Sequence, residues 1–167
     1  MKKIILIIIC FIIGFLIYQK EDVIIIPSDA IRIRIIANSN NIKDLYEKEK
    51  LKESLEEEIY DFIKNSQNVM EAREDIRNNL DEIKKIISNR TKDFTINYGK
   101  NYFPRKIYKG IIYQEGEYES LVITLGKGLG DNWWCVLYPP LCLLKESDNT
   151  NDVEYRSLVY DVINNLT

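Results

Sequence analysis

Few residues in this chain could do chemistry, and histidine is not among them. The 167 residues include three cysteines, 23 Lys plus Arg, 26 Asp plus Glu and no His. That excludes a Ser-His-Asp triad, a Cys-His pair and any histidine metal ligand. Catalysis would have to run on carboxylates, lysine, tyrosine or a lone thiol. Gly126, Gly128 and Gly130 resemble a phosphate-binding loop, but such a loop needs a helix opening directly behind it. Trp133-Trp134-Cys135-Val136 follows, which is strand sequence, so a flexible glycine loop between strands is expected. Glu115, Glu117 and Glu119 alternate, which sets them on one strand face as a solvated row. A pair of these carboxylates is the alternative, as in glycoside hydrolysis. Arg32 and Arg34 also alternate, which predicts a polar strand face able to hold a partner's carboxylate.

Cys135 and Cys142 flank Tyr138-Pro139-Pro140. Two cysteines without histidine do not make a structural zinc site. If the chain reverses at the prolines, the two thiols come opposite each other, and a bridge would add about 2–3 kcal/mol. Two reduced, buried thiols fit the same sequence. Cys10 lies in an apolar run away from both. No cofactor is implied. The net charge of −3 argues against nucleic-acid binding, which uses a basic face. Aromatic residues crowd the second half: Tyr98, Tyr102, Phe103, Tyr108, Tyr113, Tyr118, Trp133, Trp134 and Tyr138. Trp133 and Trp134 are adjacent in a strand, so they point to opposite faces and cannot share one core. One of them is expected on the open sheet face or under a loop, and exposed aromatics suit protein binding.

The elements that position these residues follow from periodicity. Lys2-Lys3 ahead of the charge-free run Ile4 to Tyr18 reads as an export segment with its lysines on the cytoplasmic side. It is short for a bilayer span, which favours a signal peptide. No small-residue cleavage site follows, which favours an uncleaved anchor. Residues 1–20 are thus signal peptide or signal anchor, 21–29 a tether, and 30–167 one extracytoplasmic domain. Ala30 to Ala37 alternates as a strand, and Asn38 to Asn41 breaks it. The spacing predicts a helix over 42–65 and a second over 69–89, forming an antiparallel hairpin on a sheet. Strands are expected at 94–98, 106–113, 117–125 and 133–138, with 106–113 and 117–125 paired around Gln114-Glu115-Gly116. A short strand over 141–144 and a helix over 152–166 complete the reading. The fold class is α+β, an antiparallel-rich sheet carrying a long helical hairpin, preceded by a membrane-targeting helix.

Four stretches give the chain a family likeness. They are Ile31-Arg32-Ile33-Arg34-Ile35-Ile36-Ala37-Asn38-Ser39; Asn97-Tyr98-Gly99 with Tyr102-Phe103-Pro104; Gly116-Glu117-Tyr118-Glu119-Ser120-Leu121; and the run from Leu125 through Trp133-Trp134-Cys135 to Cys142. On these residues the chain resembles the stage II sporulation protein R family of endospore-forming bacteria. The resemblance implies an exported, non-enzymatic signal. It would pass from the forespore into the space between the sporulation membranes. There it would activate a membrane-embedded aspartic protease that processes the sigma-E precursor in the mother cell. The implied partners are that protease and, through the N-terminal segment, the membrane, with no small-molecule substrate. Arg32, Arg34, Asn38, Trp133 and Trp134 are the candidate partner-binding residues. The competing function is an extracytoplasmic cell-wall hydrolase using Glu117 or Glu119.

Overall fold

A computed structural model describes residues 26–108 and 111–141. The stretches 1–25 and 142–167 lie outside them, and with them the expected targeting helix, the strand at 141–144 apart from Leu141, and the C-terminal helix. Among the described residues the element order is β1 (Ile31–Ile36), α1 (Ile42–Ile63), α2 (Val69–Asn78), α3 (Leu80–Ser88), β2 (Phe94–Phe103), β3 (Lys106–Tyr108), β4 (Ile111–Tyr113), β5 (Gly116–Leu125) and β6 (Asn132–Tyr138). The class is α+β. Four strands form a mixed, mostly antiparallel sheet in the order β2-β5-β1-β6, and β3 and β4 pair separately. No helix among the described residues is long and apolar enough to cross a membrane.

The first strand forms where alternation put it. Ile31, Ile33 and Ile35 are buried on one sheet face against Leu121, Ile123 and Leu125 of β5 and Cys135 and Leu137 of β6. The helices close this core with Leu51, Leu55, Ile59 and Ile63 from α1, Ala72 and Ile76 from α2, and Ile83 and Ile87 from α3. Within each helix these fall four residues apart, as one helical face requires. Asn41 caps α1 by accepting the Asp44 N–H at 2.8 Å, and Asn68 caps α2 by accepting from Met70 and Glu71 at 3.0 Å each.

Three expectations are corrected. The helix expected over 69–89 is two helices, broken at Asn79, whose φ of −102° and ψ of 8° leave the helical region. The Asn79 side-chain amide donates to the Asp75 carbonyl at 2.8 Å, the local competition that makes asparagine a poor helix interior. The strand expected to stop before Gly99 runs on to Phe103, because β2 pairs with β5 over its whole length, from Phe94↔Leu125 to Phe103↔Gly116. The glycine is tolerated there; a Cβ would meet nothing closer than 3.6 Å. Consequently β5 does not pair with 106–113. That stretch folds on itself as β3 and β4, a small arm at the tip of the β2–β5 hairpin. β5 pairs instead with β2 antiparallel and with β1 parallel, Arg32 facing Ser120 and Arg34 facing Val122. The parallel pairing is possible because the three helices supply the crossover.

Candidate partner-binding site

The sheet face away from the helices carries Arg32 and Arg34 from β1, Phe103 from β2, Tyr118, Ser120 and Val122 from β5, and Trp134 and Val136 from β6. Arg32 is not on a wet polar surface, as its alternation suggested. It is 1% exposed, inside a second cluster of Ile26, Ala30, Phe103, Tyr113, Tyr118, Val136 and Leu141. Its guanidinium lies 4.0 Å from the centre of the Phe103 ring, 4.8 Å from Tyr118 and 5.7 Å from Tyr113. Rings substitute for a counter-ion here, since the negative π face attracts the planar cation as it loses water. Compensation is partial. Burial pushes the Arg32 guanidinium down to about 10, and its Nε and Nη1 atoms have no hydrogen-bond acceptor among the described residues. Ile26 and Ala30 belong to the same cluster, so the packed domain takes in Ile26, part of the stretch read as a tether.

Arg34 is half-buried, 5.2 Å from the Phe103 ring centre, with its Nε also lacking an acceptor. Burial lowers its pKa as well. Trp134 is its direct neighbour across the β1–β6 pairing. The indole packs edge-on to Phe103 at 5.7 Å, Lys106 stands 4.9 Å over it, and its Nε1 has no acceptor. Trp133 points the other way. It packs against the helix-side core, with Lys52 of α1 5.6 Å from its ring. The fold therefore joins Arg32, Arg34 and Trp134 and leaves Trp133 on the opposite face.

Asn38 sits apart from both tryptophans, at the end of β1, and ties two loops together. Its Oδ1 accepts the Lys127 N–H at 2.9 Å, its carbonyl accepts the Leu129 N–H at 3.0 Å, and its amide donates to Asp44 at 2.8 Å. Asn40 accepts the Asp131 N–H at 2.7 Å, and the Lys48 ammonium donates to the Asp131 carbonyl at 3.2 Å. The glycine loop is thus clamped rather than flexible. Gly126 and Gly128 have φ of 52° and 63°, and a Cβ on Gly130 would strike the Ser39 carbonyl. The glycines serve close packing, with no helix behind them. Ser39 donates to Asp44 at 2.6 Å, and this hydroxyl, followed by the Asn38 and Asn41 amides, holds the Asp44 carboxyl below the usual range.

The carboxylate row is also corrected. Glu119 is ion-paired to Arg73 of α2 at 2.6 Å, with Arg77 at 3.6 Å, on the helix side of the sheet. Glu117 is exposed, and Glu115 precedes β5. Cys135 is buried and disulfide-bonded. Cys142, its expected partner, lies outside the described residues. The cage of Phe103, Tyr113 and Tyr118 around Arg32 was not read from the sequence. The available signal was an arginine alternating with isoleucine on a central strand in an aromatic-rich domain.

A family model described as stage II sporulation protein R (spore_II_R) matches residues 27–165. The chain belongs to the stage II sporulation protein R family. The resemblance seen in the four sequence stretches is borne out, and membership supports a role in sporulation. The stage II sporulation protein R of Bacillus subtilis (strain 168) is 39% identical over 136 residues, covering 78% of this chain and 61% of that protein. The matched region thus spans less than two thirds of that relative. No solved structure matches the chain significantly.

Proposed function

We propose that this chain is an exported sporulation signal that activates the membrane-bound aspartic protease processing the sigma-E precursor in the mother cell. The observation that carries the reading is the family match over residues 27–165. Two features of the chain support it. Lys2-Lys3 and the apolar run Ile4 to Tyr18 suit export, with residues 1–20 as signal peptide or anchor and the domain outside the cytoplasm. The domain also presents an arginine–tryptophan face of the kind that anchors protein interfaces. The hydrolase alternative loses ground because Glu119 is already engaged by Arg73 and Arg77.

Producing the chain together with the protease and the sigma-E precursor in a non-sporulating host tests the proposal. Precursor cleavage should depend on the chain and should vanish when residues 1–20 are removed and the domain stays in the cytoplasm. A folded, exported chain that leaves the precursor intact would overturn the reading.

A further inference from the structure

We propose that the sheet face opposite α1–α3, around Arg34 and Trp134, is a carboxylate-binding surface, and that the partner engages it through an acidic extracytoplasmic segment. The inference rests on the protease-activator reading and names the chemistry the partner must bring.

The unpaired buried groups of this face are all donors. Arg32 Nε and Nη1, Arg34 Nε and Trp134 Nε1 are enclosed and have no acceptor among the described residues. The cross-strand register sets Arg34 directly beside Trp134, and Arg32 two residues back on the same face. Among the described residues no strand position on this face holds an acid. It carries Asn97, Gly99, Asn101 and Phe103 on β2, Tyr118, Ser120, Val122 and Thr124 on β5, and Asn132, Trp134 and Val136 on β6. The carboxylate that β5 does bring into the fold, Glu119, points to the helix side and is bound by Arg73. Unmet buried donors are costly, and a guanidinium in a dry aromatic setting is the donor best matched to a carboxylate, by a forked pair of bonds. Arg34, half-buried, is the group a ligand reaches. Arg32 beneath it contributes fixed positive charge.

A protein carboxylate fits better than an anionic membrane or a polyanion. The chain is acidic overall, with a net charge of −3, so an extended negative surface is repelled by the rest of the molecule. A short acidic segment meets this face alone.

In the full chain carrying Trp133→Phe, Trp134 is the sole indole and reports on the face by its fluorescence. Titration with a hexapeptide of glutamate should change its emission saturably. A hexapeptide of lysine should not, and inorganic phosphate should compete weakly. Arg34→Gln should weaken the response at least tenfold while Arg34→Lys keeps part of it, with near-ultraviolet circular dichroism unchanged. In the precursor-cleavage assay Arg34→Glu should abolish processing, and one acid-to-lysine change in an extracytoplasmic segment of the protease should restore it. The proposal fails if hexaglutamate leaves Trp134 unchanged, if phosphate binds as well as hexaglutamate, or if Arg34→Gln processes like the parent. It fails equally if rescue comes from an acid-to-lysine change within residues 142–167, which would assign the acceptor to the chain itself. Hexaglutamate binding by a chain that triggers no cleavage would instead overturn the activator reading and leave the carboxylate site standing.

Discussion

Arg32 shows how a charged side chain can fill a core position. Its methylene stem extends from a central strand, and its head lies over three rings with no ion pair among the described residues. No described carboxylate would be orphaned by its loss. Arg32→Met should therefore fold with a stability within about 2 kcal/mol of the parent in urea denaturation, since apolar replacements of buried ions are often neutral or stabilising. A loss above about 4 kcal/mol would mean that the guanidinium makes bonds the cage does not account for. Its titration has a definite sign. The folded value, about 10, lies below the ordinary guanidinium range. The penalty is fully present below pH 10 and is relieved as pH rises through that interval. Asp44 behaves in the opposite sense. Hydrogen bonds from Ser39, Asn38 and Asn41 lower its folded pKa, so it stabilises the fold above the ordinary carboxylate range, and that contribution is lost as pH falls through the folded value. Asp44→Asn should flatten the acid limb of a thermal-stability profile and leave its shape above pH 6 unchanged. An unchanged acid limb would contradict this.

At the scale of elements, the clamp between the Asn38–Asn41 turn and the loop of residues 126–131 decides where β5 ends and β6 begins. Gly130→Ala should destabilise the protein by about 2–3 kcal/mol, because its Cβ meets backbone that cannot yield, whereas Gly99→Ala in β2 makes only an ordinary contact with the Asn97 side chain. Equal thermal shifts for the two variants would show that the clamp is not rigid. The sequence was most legible where one periodicity dominated. β1 and α1 appeared near their expected bounds because Ile31, Ile33 and Ile35, and Leu51, Leu55 and Ile59, each commit to one face. It was least legible where pairing depended on distant strands. Gly99 looked like a terminator, and only ten residues of β5 opposite β2 show why it is not. The same limit hid the site. Alternation correctly set Arg32 and Arg34 on the face away from the isoleucine core. What covers that face is set by β2, the β3–β4 arm and β6, which local sequence does not report.

The described residues build a sheet with two unlike sides. One is closed by three helices over an aliphatic core, with Glu119 tied to Arg73 and Arg77 across the layer boundary. The other is aromatic and cationic at its centre, with Arg32 buried among rings and Arg34 half-buried beside Trp134. Both sides hold buried clusters, and half-buried Arg34 at the edge of the second is where the proposed partner would reach the domain. The proposed activation makes a directional claim at this scale, because the domain must act from outside the membrane. The most direct test uses sealed vesicles holding the protease in known orientation, with the sigma-E precursor on the cytoplasmic side. Exported protein is added outside, and precursor cleavage is followed over a concentration series. Saturable cleavage from the extracytoplasmic side, shifted to higher concentration by Arg34→Gln, is the predicted result. Cleavage indifferent to the added protein, or equal when it is supplied on the cytoplasmic side, would contradict the account.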